Sequence, residues 1–188
     1  LQKIKTKYGV AGQYANDDEG IMQKPGGVFY DIGSGTGKPA IAAALLHPFD
    51  LVSGVEILEG LHSSSQELAA VWNNTAHELL PGDAIIPRAE FTLGDGTDMG
   101  CLDWSNGNLI FANSTCFDDA LMEKIADKAA LLKKGSIFIT FTKKLPSPYF
   151  EVLEYEMYQM SWGGATVFIQ QKTSDPISPT ETEGQENK

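Results

Sequence analysis

Cysteine is nearly absent from this chain, with Cys101 and Cys116 the only two. Two thiols cannot frame a disulfide scaffold, and no cluster of Cys and His has zinc-ligand spacing. A reducing intracellular compartment is therefore the expectation. No apolar run approaches about 18 residues, and no segment has a secretory-signal pattern, so nothing supports membrane spanning or export. Basic residues are scarce as well: 14 Lys and Arg stand against 25 Asp and Glu, for a net charge of −11. An acidic body is a poor match for direct binding to nucleic-acid phosphates and a better one for a cationic partner, although the same acids also serve solubility. Histidine is limited to His47, His62 and His77, which share no partner pattern and are assigned to surface or packing roles. No internal repeat is visible. What the chain does have is 42% apolar composition over 188 residues, enough for one domain with a full core. It starts at Leu1 and is read as a fragment of a longer protein.

Glycine carries the main signal. In Val28-Phe29-Tyr30-Asp31-Ile32-Gly33-Ser34-Gly35-Thr36-Gly37-Lys38-Pro39, an apolar strand ends on a carboxylate, turns through three glycines and enters a helix. Alternate glycines permit positive φ and let a ligand lie against the main chain. Proline suits the first helical turn because it has no N–H to leave unpaired. A phosphate-cradling loop needs GxxxxGK followed by Ser or Thr, but Pro39 follows Lys38 and Ile32 occupies the position of the first glycine. A dinucleotide fingerprint needs a third glycine at position 38, which is lysine. Acid-x-G-x-G-x-G resembles the first motif of class I S-adenosylmethionine-dependent methyltransferases.

Strand-like and helix-like segments alternate from residue 28 onward, the pattern of an α/β domain with a parallel sheet. Strands are predicted at 28–32, 51–56, 88–93, 108–112 and 136–142, and an amphipathic helix at about 60–79, stopped by Pro81-Gly82. A second such helix opens at Asp118-Asp119 and closes with Lys133-Lys134-Gly135. Residues 150–160 and 165–170 read as a closing antiparallel pair across Trp162-Gly163-Gly164. The fold expected is a Rossmann-like class I methyltransferase fold: a mostly parallel twisted sheet with a C-terminal antiparallel hairpin. Residues 1–27 read as a loop-rich lead-in, 28–172 as the domain, and 173–188, with four acids and one lysine, as a disordered acidic tail.

Ligands of open α/β sheets sit at the carboxyl ends of the strands. Asp31, Glu56, Asp95 and Asn113 lie at four successive strand ends. For S-adenosyl-L-methionine, Glu56 is the ribose candidate and Asp95 with Gly96 the adenine-side candidates. Asp31, Gly33, Ser34, Gly35 and Gly37 form the cofactor loop. Asp95 has a competing reading as a turn aspartate bonded to its own backbone. Asn113 faces the transferring methyl in this fold, as methionine-moiety ligand or catalytic orienter of the nucleophile. Ser114-Thr115 replace the proline pair of nucleic-acid amino methyltransferases, which argues against base amines as acceptors. Phe117, Trp162 and Phe168 are candidate walls of a substrate channel, with plain core packing as the alternative. Cys116 is read as a packing residue, and no metal is expected.

Phe29 to Gly37, Gly54-Val55-Glu56, Gly94-Asp95, Ile110 to Asn113 with Phe117, Leu132 to Ile137 and Ser161-Trp162-Gly163-Gly164 together resemble the disruptor-of-telomeric-silencing family, over roughly residues 28–170. The resemblance implies a non-SET histone lysine methyltransferase using S-adenosyl-L-methionine, with a protein substrate, a histone in that family, and a nuclear location if the acceptor is a histone. No direct nucleic-acid or membrane partner is expected, and oligomeric state is left open. Three positions depart from the family. Tyr8-Gly9 is followed by Val10 rather than Glu, Phe168 and Ile169 stand where a channel tyrosine is expected, and an acidic tail replaces a basic segment. A non-histone protein or small-molecule acceptor, and a non-catalytic cofactor-binding module, are the alternatives. A nicotinamide oxidoreductase is disfavoured by the glycine spacing.

Overall fold

A single mixed sheet organises the chain. The computed structural model describes residues 1–8 and 22–176. Among them the strands are β1 Val28–Ile32, β2 Leu51–Glu56, β3 Arg88–Leu93, β4 Leu109–Ala112, β5 Ile137–Phe141, β6 Phe150–Met160 and β7 Gly163–Lys172. The α-helices are α1 Lys38–Leu46, α2 Glu59–Leu79 and α3 Asp119–Ala129. Strand order is β3-β2-β1-β4-β5-β7-β6. The first five strands are parallel, and β7 runs antiparallel between β5 and β6. This is the mostly parallel α/β sheet with a C-terminal antiparallel hairpin that the sequence leads one to expect. None of the described helices is long and apolar enough to cross a membrane.

Both faces of the parallel strands are covered, which explains why their sequences read as nearly continuous apolar runs. On one face Phe29, Val52 and Phe91 pack against Ala40 and Ala43 of α1 and Ala69, Trp72 and Ala76 of α2. On the other, Tyr30, Ile32, Ile110 and Phe138 pack against Met122, Ile125 and Ala129 of α3. Helix α1 needs no polar cap, because Gly37 enters it in the left-handed region at φ 80° with Pro39 in the first turn. A Cβ at Gly37 would stand 2.6 Å from the Phe91 ring. Gly37→Ala therefore combines strain with a clash, and is expected to destabilise by about 2–4 kcal/mol in a urea titration.

Helix α3 ends earlier than its sequence predicts. Asp118 caps it by accepting from the Leu121 N–H at 2.8 Å, but the helix stops at Ala129, before Lys133-Lys134. The last turn tightens, with Leu131 N–H donating to Lys128 O and Leu132 N–H to Ala129 O. A side chain from β7 supplies the reason. The Lys172 ammonium, buried to 1% exposure, donates to the carbonyls of Ala130 and Leu132 and to Asp175. No periodicity argument sees a lysine arriving from 40 residues away.

The lead-in is also more ordered than expected at its start. Ile4–Tyr8 forms a π-helical turn with Ile4 and Tyr8 buried. Lys3, Lys7 and the Tyr8 hydroxyl all meet Glu154 of β6, and Lys3 reaches Glu156 at 2.7 Å. Of the expected tail, Thr173 donates to Tyr149 O at 2.9 Å. Residues 177–188 lie outside the described residues, as do Gly9 and Val10.

Candidate functional site

Strand order reverses between β1 and β4, so a crevice opens beyond their carboxyl ends. Asp31, the penultimate residue of β1, pairs with Gly54 on one side and Phe111 on the other. Its side chain is buried, and neither carboxylate oxygen makes a hydrogen bond. Burial, with a smaller contribution from the neighbouring charge of Glu56, pushes its pKa up to about 8. Ser34 Oγ is likewise buried and unpartnered.

Glu56 ends β2 and shapes the loop. Its Oε2 accepts from the Gly35 N–H at 2.8 Å and its Oε1 from the Leu58 N–H at 2.9 Å. Two further amides, of Gly33 and Ser34, donate to Val55 O at 2.9 and 3.0 Å. The glycine turn is thus tied down over the end of β2 before any ligand arrives. A carboxylate held by two backbone donors keeps further lone pairs for a diol.

A cavity of about 160 Å³ adjoins this loop, lined by residues including Gly33, Ile57, Asp95, Gly96, Thr97 and Phe117. Phe117 lies over Gly33, where a Cβ would be 3.0 Å from its ring. Asp95 forms an Asx turn, its Oδ1 accepting from the Thr97 N–H at 2.8 Å and the Thr97 hydroxyl at 2.9 Å. Those bonds hold its pKa below the ordinary carboxylate value. The turn reading and the placement beside the cavity therefore both apply to Asp95.

Asn113 follows β4 directly and is exposed. Its neighbours on the Ser114–Cys116 3-10 turn are stitched to the end of β5. Ser114 Oγ, fully buried, donates to Phe141 O at 2.6 Å and accepts from Phe141 N–H at 3.1 Å. Thr115 Oγ1 donates to Asn113 Oδ1 at 2.9 Å and lies 3.3 Å from Thr142 Oγ1.

The structure separates the residues that the sequence grouped as a channel. Phe117 lies in the cavity beside the glycine loop, whereas Phe168 is on β7 and Trp162, 51% exposed, at the hairpin turn. Strand order is the cause, since β4 and β7 flank β5 on opposite sides. Phe168 instead stacks on Tyr155 of β6 at 5.9 Å between ring centroids. Sequence reasoning missed Ile57, which follows Glu56 immediately and adds an apolar side chain to the cavity lining. It also missed Thr142, whose backbone carries no sequence signal.

Residues 19–161 match the family described as Histone methylation protein DOT1, a span of more than half the chain. The chain belongs to the DOT1 family. It is a class I S-adenosyl-L-methionine-dependent methyltransferase. Solved structures agree on the fold of this DOT1 domain. The tRNA methyltransferase TrmK from B. subtilis aligns with a TM-score of 0.59 and 15% identity, covering 82% of this chain and 65% of that one. TrmN from Thermus thermophilus aligns with a TM-score of 0.61 and 19% identity, covering 79% and 44% respectively. TrmK from M. capricolum, solved with S-adenosyl-homocysteine, gives 0.55 and 10%, covering 84% and 68%. No curated protein matches the sequence significantly. The rim of the DOT1 domain fits its cofactor chemically: an unpartnered buried carboxylate for an ammonium, a second carboxylate for a ribose diol, and a cavity with an acceptor for adenine.

Proposed function

We propose that this chain methylates the side-chain amine of a lysine in a protein, with a histone as the acceptor. The observation that carries the reading is the buried, unpartnered Asp31 beside Glu56 at the strand-order reversal, in a chain matched by a family described as a histone methylation protein. When bound, the cofactor supplies a methyl group already activated by its sulfonium, so the protein's task is orientation.

In this reading Asp31 accepts from the cofactor ammonium and Glu56 from both ribose hydroxyls. The amides of Gly33, Ser34, Gly35 and the turn through Gly37 pack along the methionine moiety. Asp95, Gly96 and Phe117 enclose the adenine. Asn113 would direct the acceptor nitrogen toward the cofactor methyl through its side-chain carbonyl. The lysine proton would leave to solvent before the bound cofactor supplied its methyl to the nitrogen. Loss of water around the amine on docking favours that step, because desolvation disfavours the ammonium. Tyr155, exposed and stacked on Phe168, carries the phenol that β7 lacks. Holding nucleophile and methyl in line supplies ~7–11 kcal/mol of rate enhancement without covalent chemistry.

The charge of −11 favours a cationic protein over an RNA as acceptor. Asn113→Ala is expected to cut methyl transfer by about 100-fold while cofactor affinity stays within about threefold. Incubating radiolabelled cofactor with recombinant nucleosomes, free core histones and tRNA in parallel tests the acceptor. Label on histone lysine is expected; label on tRNA with none on histones would overturn the reading.

A further inference from the structure

Thr142 is the conspicuous backbone outlier near the rim. It sits one residue past β5 with φ 66°, in the left-handed region that a β-branched residue rarely adopts. Its N–H donates to Thr166 O of β7 at 2.7 Å, so the hairpin holds it there. Strain of this kind persists only where surrounding structure imposes it, and it clusters at functional positions.

The Thr142 side chain lies 3.3 Å from Thr115 Oγ1. Thr115 spends its one hydroxyl proton on Asn113 Oδ1 at 2.9 Å. With a single proton on each hydroxyl, Thr142 must be the donor to Thr115, and the chain of bonds runs Thr142 to Thr115 to Asn113. It ends on one lone pair of the Asn113 carbonyl and leaves the other lone pair and the amide hydrogens outward. Asn113 itself is exposed and has no other side-chain partner among the described residues that would fix its plane.

We propose that Thr115 and Thr142 are positioning residues that set the orientation of the Asn113 carboxamide, with the β7 hairpin fixing Thr142. The proposal rests on Asn113 facing the acceptor. It assigns the hydroxyls a role in turnover and none in cofactor binding. Donation from Thr115 also polarises the carbonyl that meets the acceptor amine.

Thr115→Val removes the donor at nearly constant volume, and Thr142→Gly removes the hydroxyl at a position whose φ glycine tolerates. Each is expected to lower kcat on core histones about 10-fold with KM for the cofactor unchanged, and Thr115→Ser is expected to restore it. Combining Thr115→Val with Asn113→Ala should cost no more than Asn113→Ala alone. In the nitrogen–proton spectrum, the Asn113 side-chain amide pair, assigned by its loss in Asn113→Ala, should shift in Thr115→Val and return in Thr115→Ser. An unmoved amide pair, or full turnover in Thr142→Gly and Thr115→Val, would overturn the proposal. If the wild-type protein labels no histone, the lysine reading fails by itself, and the amide signal still decides the positioning role.

Discussion

Asp31→Asn is expected to stabilise the cofactor-free protein at neutral pH while abolishing tight cofactor binding. The side chain is buried, without hydrogen-bond partners, and its pKa is raised above the ordinary aspartate range to about 8 by burial and by Glu56. The folded protein thus holds this proton more tightly than the unfolded chain. Stability from this group is complete below about pH 4 and is lost as pH rises toward about 8. At neutral pH the displacement amounts to on the order of 4 kcal/mol, since each pH unit is about 1.4 kcal/mol. Asparagine carries no proton to lose, so the variant should melt roughly 10 °C above wild type near pH 7 and level with it near pH 4. On the proposed reading the same change removes the acceptor for the cofactor ammonium, and cofactor affinity should fall at least about 100-fold. A stabilising substitution that destroys binding is the signature of a residue strained for function. Differential scanning calorimetry of both proteins across pH checks it, and equal melting temperatures at every pH would contradict it.

Glu56→Ala is the second large effect, with the opposite sign in stability. Its carboxylate accepts the Gly35 and Leu58 amides, and both N–H groups lose their partner in the variant. A charged acceptor contributes about 1.5–3 kcal/mol per bond. The glycine turn should loosen, with faster hydrogen exchange at Gly35, and the protein should lose about 2–4 kcal/mol of stability, less than two full bonds because Leu58 is exposed and water reaches its freed amide. On the proposed reading the acceptors for the ribose hydroxyls go with it, so cofactor affinity should fall by about 100-fold or more. Asp31, freed of a neighbouring negative charge, should ionise at lower pH. Wild-type affinity in Glu56→Ala would remove the residue from the site.

Much of this architecture was legible because its physics is local. Strands buried on both faces show as apolar runs, and the acid followed by alternate glycines marks one tight turn. Each of Glu56, Asp95 and Asn113 could be placed because a parallel sheet brings successive strand ends to one rim. The parts that were not legible depend on distant partners. Lys172 crosses from β7 to end α3, and Glu154 gathers Lys3, Lys7 and Tyr8. The left-handed Thr142 is imposed by the hairpin, with nothing in its own sequence to announce it. Phe117 was expected on a substrate-channel wall with Trp162 and Phe168, and only the fold shows it in the cavity beside the glycine loop, apart from them.

Calorimetric titration of S-adenosyl-L-methionine into the protein, from about pH 6 to about pH 9, tests the central claim most directly. One saturating site is expected, with affinity rising up to about tenfold per pH unit toward about pH 8, as Asp31 gives up its proton to receive a cation, and falling again above it as the cofactor's amine, with an α-amino pKa of about 8, loses its own. Absence of heat at every pH, or an affinity flat with pH and unchanged in Asp31→Asn, would contradict it.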